Sequence, residues 1–268
     1  MRTPTDGPDE QSNAMAGPPM PADGEAWALF LDVDGTLAPI ARTPGDATIP
    51  RDVVERVRAL HDALDGALAL VSGRPIVDVD RMVAPARFPV VGVHGAEWRV
   101  AATATARSAA PPHGVDAARE AFAVFVREHA GTLMEDKGTA VALHYRRNAG
   151  AGEAAVQLAR GIAAAGEAGV EVLQGHMVVE IRPLGVNKGG AVHALLEVAP
   201  FAGRRPVYLG DDVTDEDAFT VVNAHGGVSV AVGPRSRTNA RYQLASVRHV
   251  HDWLGRLARH VRGGPVDE

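Results

Sequence analysis

The stretch LDVDGTLAPI, Leu31–Ile40, decides how the chain is read. An apolar run, Trp27 to Leu31, leads into two aspartates one residue apart, Asp32 and Asp34, and a Gly-Thr turn follows. A buried strand that ends in two mutually repelling carboxylates needs a reason to tolerate them. A hard cation that takes oxygen ligands is one such reason, and a shuttling proton is another.

Outward from this stretch the pattern alternates strands and helices. Trp27 to Val33 predicts a buried strand. Pro50 to Leu64 predicts a helix, with Pro50 near the first turn and Val53, Val57, Leu60 and Leu64 on one face. Gly66 to Val71 predicts a second strand, Pro75 to Val83 a short helix, and Pro89 to Val93 a third strand, with a short hairpin arm over Trp98 to Val100. Strands apolar on both faces, alternating with helices, imply a parallel sheet covered by helices.

The grammar then changes. Ala101 to Gly114 is rich in Ala, Ser and Pro and reads as a linker. A helix over Val115 to His129 follows, then a hairpin over Leu133 to Arg146 with Asp136-Lys137-Gly138 near its turn. A helix over Gly152 to Ala165 and strands over Val170 to Leu173 and Met177 to Ile181 complete a small α+β unit. After Pro183-Leu-Gly185 the βα alternation resumes: helix Lys188 to Val198, strand Pro206 to Leu209, helix Asp215 to Asn223, strand Gly227 to Val232, and a terminal helix Val247 to Val261. The expected fold class is α/β, a doubly wound parallel-sheet core with an inserted α+β cap. Residues 25–110 and 185–268 form the core, and residues 111–184 form the cap. Residues 1–24, rich in Pro, Gly and Asp, are expected to be a disordered tail, with Met15 and Met20 as alternative starts.

Composition sets the outer limits. The 268 residues suffice for one large domain or two modest ones, and 46% of them are hydrophobic. A net charge of −6 argues against a general nucleic-acid binder. With no cysteine, disulfides and thiolate zinc sites are excluded. No apolar run has the length of a membrane span, and the N-terminus shows neither a basic start nor a signal core. A soluble cytoplasmic protein without membrane or nucleic-acid partners is expected. A monomer is compatible with the sequence, which leaves oligomeric state open.

In an open parallel α/β sheet, ligands bind beyond the carboxyl ends of the strands. Four expected strands end there in polar groups: Asp32-Val-Asp34, Ser72-Gly-Arg74, His94-Gly-Ala-Glu97 and Gly210-Asp-Asp-Val-Thr-Asp215. Lys188, at the start of the preceding helix, joins the same edge. Each piece alone reads as a turn or a helix cap. Together, in order on one edge, carboxylates, a hydroxyl and a lysine are the equipment of phosphoryl transfer, with Mg²⁺ as the counter-ion. Mn²⁺ suits the same oxygen ligands.

The four stretches DVDGT, VSGR, NKG and GDDVTDED resemble, in order, the four motifs of the haloacid-dehalogenase-like (HAD) phosphatases. The likeness covers Glu25 to about Leu257, and the insertion lies where HAD sugar phosphatases of the C2 type carry a cap. VSGRP, HGAE, EDKG…LHYR, VVEIRP, NKGGAV and GDDVTDEDAF narrow the resemblance to the trehalose-6-phosphate phosphatases. It implies a hydrolase of that sugar phosphate, with an aspartyl-phosphate formed on Asp32 and Asp34 as general acid and base. It also implies Mg²⁺ held by Asp32, the Asp34 carbonyl and Asp211, with Asp212 and Asp215 acting through water or by orienting the ligands. Ser72 and Lys188 would hold the transferring phosphoryl group. Glu135, Lys137 and Glu180 on the cap would contact the sugar, with Arg74 and His94 further substrate-side candidates. His144 and Arg146 are left unassigned, and His249, His251 and His260 on the terminal helix read as surface residues. The competing readings are a cap-bearing phosphatase of sucrose phosphate or mannosyl-3-phosphoglycerate, and a non-enzymatic phospho-receiver. The EDKG and GDDVTDE boxes weigh against the first. The insertion weighs against the second.

Overall fold

A computed structural model describes residues 17–41, 43–108, 110–165, 169–235 and 237–263. Its elements, in chain order, are β1 (Trp27–Leu31), α1 (Arg51–Ala63), β2 (Leu68–Val71), α2 (Ile76–Val83), β3 (Val90–Gly92), β4 (Glu97–Arg99), β5 (Arg107–Ser108), α3 (His113–Glu128), β6 (Leu133–Asp136), β7 (Val141–His144), α4 (Gly152–Ala164), β8 (Val170–Gly175), β9 (Val178–Pro183), α5 (Lys188–Leu196), β10 (Arg205–Gly210), α6 (Glu216–Ala224), β11 (Val228–Val232), β12 (Tyr242–Leu244) and α7 (Val247–His260). Shorter single-turn segments connect several of them.

Every residue of β1 is buried, as two-sided coverage by helices requires. It lies inside an eight-stranded sheet ordered β12-β11-β10-β1-β2-β3-β4-β5. The pairs from β12 through β3 are parallel, while β3–β4 and β4–β5 are antiparallel. Strand order runs outward from β1 in both directions, so the sheet has its topological switch between β1 and β10. A crevice opens there at the carboxyl ends.

The segment between β5 and α5 builds a second sheet, β6-β7-β9-β8, antiparallel throughout. Each sheet has its own apolar core. Trp27 stacks on Trp253 and Phe30 on Phe201 in the first. Val115, Phe122, Val141, Leu143 and Ile181 fill the second. A small cluster of Val93, Ala96 and Ala140 lies apart from both.

Several expectations change. Residues 1–16 of the expected tail lie outside the described residues, but Met20 packs on the larger core and Pro21 is buried, its carbonyl bound by His260 Nε2 at 3.0 Å. Their apolar surface outweighs the Pro/Gly-rich surroundings that suggested a tail. His251 is also not a plain surface residue, since its Nε2 lies 2.8 Å from the Leu37 carbonyl. The expected linker over Ala101 to Gly114 contains β5 and the first two residues of α3, His113 and Gly114. The edge strand β12 was not legible, because three residues are too few for a period-two pattern. Among the described residues no helix is long and apolar enough to cross a membrane.

Candidate active site

β1 ends at Leu31, and the Asp32 amide reaches across to the Leu209 carbonyl of β10 at 3.0 Å. Asp32 therefore stands at the switch between β1 and β10. The chain then turns at once, with the Val33 carbonyl accepting from Leu37 and Ala38. Gly35 sits in this turn at φ +78°, and a Cβ there would lie 1.9 Å from Asp211 Oδ2. Only glycine lets the turn and the second acidic strand end approach so closely. The turn also moves Asp34 off the strand, so a period-two alternation does not set its direction. Its carboxylate is clamped by Arg74, with Nε at 2.6 Å from one oxygen and Nη2 at 2.7 Å from the other.

Lys188 opens α5, whose N-terminus is capped by Asn187 Oδ1 accepting from the Gly190 amide at 2.8 Å. Its ammonium, only 3% exposed, donates to Asp32 Oδ1 and Asp215 Oδ1, each at 2.7 Å. Burial alone would lower the Lys188 pKa, but Asp215 and Asp32 outweigh it and raise it. Asp215 is fully buried and also accepts from the Tyr208 hydroxyl at 2.7 Å and the Asp212 amide at 2.9 Å. Asp212 is exposed, and its side chain caps the short turn that delivers Asp215. Ser72 is buried at the end of β2, and its Oγ accepts from the Arg74 amide at 3.1 Å.

Carboxylate oxygens of Asp32, Asp211 and Asp215 lie within 4.8 Å of one another. Burial and then the Asp215 charge push Asp211 up to about 7. Asp32 is also raised, by burial first and by its acidic neighbours, against the pull of Lys188. Asp211 Oδ1 is buried with no hydrogen-bond partner. An orphaned carboxylate oxygen among acids pushed toward protonation suits a hard, oxygen-seeking cation. The cluster of carboxylates also includes Asp215, and the Asp34 side chain is held by Arg74, which leaves the Asp34 backbone carbonyl, as expected, for such a role. Both oxygens of Asp215 already accept donors, which suits it to orient Lys188 and the Asp212 turn.

Opposite these strand ends stands the second sheet, and the two enclose a cleft of about 680 Å³. In its register Glu135 of β6 pairs with Ala142 of β7, which pairs with Glu180 of β9. The two glutamates thus share one face across a small alanine. Lys137, in the turn after β6, donates to Glu180 Oε2 at 2.6 Å, and His144 Nε2 lies 2.7 Å from Glu135 Oε2. Burial works to raise Glu180, yet Lys137 and then His94 hold it well below the usual carboxylate range. The same contact and Glu135 raise Lys137 against its burial.

Asp32, Asp34, Arg74, His94, Glu135, Lys137, Glu180, Lys188, Asp211 and Asp212 all line this cleft, while Ser72 and Asp215 lie buried outside its lining. Sequence reasoning left out His144 and Arg146 and passed over Arg147 and His176, all of which line the cleft. Arg146 also reaches the core loop, with Nη1 donating to the Ala41 carbonyl at 3.2 Å. His144 follows Ala142 at the strand period of two and pairs with Leu133 in the hairpin; that alternation was the available signal. His176, in the β8–β9 turn, offered none.

The Trehalose-phosphatase family model matches residues 30–248. A trehalose-6-phosphate phosphatase of Escherichia coli (strain K12) is 41% identical over 228 residues, 85% of this chain and 85% of that protein. A probable trehalose-phosphate phosphatase of Sinorhizobium fredii is 42% identical over 212 residues, 79% of this chain and 80% of that one. Among solved structures, the C-terminal domain of a C. albicans trehalose-6-phosphate phosphatase superposes with a TM-score of 0.75 at 26% identity, covering 87% of this chain and 93% of that one.

Proposed function

The chain belongs to the trehalose-phosphatase family, of HAD-like fold, and from that premise we propose that it hydrolyses trehalose 6-phosphate to trehalose and inorganic phosphate, with Mg²⁺, through a phosphorylated Asp32. The observation that carries this reading is Lys188, clamped at 2.7 Å between Asp32 and Asp215 beside the orphaned Asp211, at the acidic end of a cleft whose other wall is Glu135, Lys137 and Glu180.

In the proposed first step an Asp32 oxygen bonds to phosphorus as the bond from phosphorus to the sugar oxygen breaks. Asp34 gives its proton to the departing sugar oxygen. In the second step Asp34 takes a proton from water as the water oxygen bonds to phosphorus. The Asp32–phosphorus bond breaks, freeing phosphate and restoring both acids. Such proton transfer contributes about 10²–10⁴-fold in rate. Asp34 must first release one Arg74 contact, and an arriving phosphate dianion offers Arg74 a replacement partner. Lys188 holds Asp32 in line and neutralises charge on the transferring group, with Ser72 beside it. Mg²⁺ held by Asp32, Asp211 and the Asp34 carbonyl, with Asp212 and Asp215 supporting, would supply a hard positive charge for the phosphoryl oxygens.

Residues 111–184 act as a cap in this reading, closing on the sugar through Glu135, Lys137 and Glu180 and reopening for release. The hinges are the segments near Pro111-Pro112 and Pro183 to Gly185; Gly185 has φ +74°. A cytoplasmic enzyme is in keeping with a chain that has no cysteine. The test is Mg²⁺-dependent phosphate release from trehalose 6-phosphate by the wild type and by Asp32→Asn. Release by the wild type and its loss in the variant are expected. No release by the wild type, or faster release from sucrose phosphate or mannosyl-3-phosphoglycerate, would reject the substrate. Full activity in the variant would reject the nucleophile.

A further inference from the structure

We infer that Tyr208 of β10 is a positioning residue for phosphoryl transfer: its hydroxyl pins the Asp215 carboxylate, and Asp215 in turn holds the Lys188 ammonium in line with Asp32. The inference rests on the phosphatase reading above and adds to it a residue that touches neither the substrate nor the reacting atoms.

Tyr208 stands between Val207 and Leu209 in a strand that is buried from Pro206 onward, and it pairs with Phe30 of β1. It is fully buried, and its ring meets Phe219 of α6 edge-on at 5.7 Å. Phenylalanine would satisfy that packing without burying a hydroxyl, and a buried hydroxyl is costly unless it is hydrogen-bonded. The Tyr208 hydroxyl donates to Asp215 Oδ1 at 2.7 Å, the same oxygen that Lys188 Nζ reaches at 2.7 Å. Burial and then the Asp215 charge push the hydroxyl well above its ordinary pKa, so it stays a donor.

The backbone makes room for this arrangement. At the strand period of two, Gly210 lies on the same face of β10 as Tyr208, and a Cβ there would lie 2.3 Å from Asp215 Cγ. The Asp215 carboxylate therefore rests on the bare end of the strand. The Asp212 amide donates to its other oxygen, Oδ2, at 2.9 Å. Asp215 is thus held by Tyr208 and by its own turn without help from Lys188, and it serves as a fixed post. Lys188, which lines the cleft, shares its ammonium between this post and Asp32 Oδ1. The phenol takes part of the acceptor capacity of Asp215 Oδ1 and so limits how far Asp215 draws the ammonium away from Asp32. Without the hydroxyl, that oxygen has Lys188 as its one side-chain donor among the described residues, and the carboxylate is free to turn toward it. The ammonium then shifts off Asp32, and transfer chemistry is sensitive to such small displacements.

The test measures kcat, KM and melting temperature, with trehalose 6-phosphate and p-nitrophenyl phosphate as substrates, in the full-length wild type, Tyr208→Phe, Lys188→Met, the double variant Tyr208→Phe/Lys188→Met and Phe219→Leu. Turnover of the aryl phosphate does not depend on the sugar, so failure of the trehalose assignment is read separately from failure of this inference. Tyr208→Phe keeps the ring and leaves Asp215 Oδ1 bonded to Lys188, so the fold is retained. Its kcat should fall about 10-fold, short of the roughly 10²-fold that a full ångström of misplacement costs. KM should stay within about twofold, and the fall should be the same for both substrates, because the hydroxyl acts at the phosphoryl end. In the Lys188→Met background the same substitution should change kcat by less than about twofold, since the hydroxyl acts through Lys188. Phe219→Leu disturbs the packing of the tyrosine ring but keeps the hydroxyl; it should lower the melting temperature and leave kcat within about twofold. An unchanged kcat in Tyr208→Phe, a further fall of the same size on top of Lys188→Met, or an equal fall in Phe219→Leu would each overturn the inference.

Discussion

Replacing Lys188 by methionine removes a buried positive charge while keeping most of the side-chain volume. The ammonium is 3% exposed and lies 2.7 Å from both Asp32 and Asp215. Breaking a buried ion pair by removing one partner costs roughly 3–5 kcal/mol, because a charge is left uncompensated. At about 2 °C per kcal/mol for a chain of this size, the melting temperature should fall by roughly 6–10 °C. The loss should depend on pH. The folded pKa of Lys188 is raised, so its contribution is fully present below the unfolded lysine value of about 10.4 and is constant across neutral pH. In the variant the abandoned carboxyl groups can protonate, which relieves the penalty as pH falls toward the unfolded carboxyl value of about 4. Urea denaturation at pH 8 and pH 4.5 without added metal should therefore show a large gap between wild type and variant at the first and a small one at the second. Turnover should fall about 10²–10³-fold, the range for losing one preorganised donor to a developing charge. A variant as stable as the wild type at pH 8 would refute the argument, and so would an equal loss at both pH values, since side-chain packing would then outweigh the charge.

Three further outcomes follow from the same geometry. Gly35→Ala would put a methyl group 1.9 Å from Asp211 Oδ2 and should abolish Mg²⁺ binding in titration calorimetry with the fold retained by circular dichroism; undiminished binding would separate Asp211 from the metal site. Because Asp211 is raised from 3.8 to about 7, the metal-free protein should lose stability as pH rises through that window, and Mg²⁺ binding at pH 6 should expel a proton. Calorimetry in two buffers of different ionisation enthalpy reads that proton directly, and buffer-independent heats would count against it. Phe122→Ala opens a cavity in the core of the second sheet, should cost about 3–5 kcal/mol, and should reduce kcat/KM for the sugar phosphate more than for p-nitrophenyl phosphate; equal losses would argue that the two cores are not separable in function.

Much of the architecture was legible. β1, α1, β2, α2, α5, β10, α6, β11 and α7 fall where apolar periodicity and Gly/Pro punctuation put them, because each buries a regular face and the periods of 2 and 3.6 survive in the sequence. Twelve expected site residues are gathered at one cleft or in the buried layer behind it, since parallel strands all end on one edge. The misses have physical causes. β12 is too short to carry a period. Met20 and Pro21 are held by packing that no local pattern encodes. The turn at Gly35 gives the Asp34 carboxylate to Arg74, forty positions along the chain, a pairing that no local pattern encodes. His144 and Arg146 were an even choice between surface and cleft, because alternation on a hairpin says which residues share a face but not what lies opposite.

The order of motifs, the residue types at the strand ends and the interruption of βα grammar by an antiparallel unit are one-dimensional properties, and the sequence alone determined them. It thereby determined the fold class and the chemistry the edge can perform. Tertiary structure alone decided which charges pair. Lys188 could have faced a phosphate site or solvent; folding places it between Asp32 and Asp215, respectively 156 and 27 positions away. Asp211 keeps an unsatisfied oxygen while Asp215 has none. The His94 ring meets Glu180 only because two separate sheets face one another. Such pairings follow from distance and burial, and local periodicity carries no information about either across so many residues.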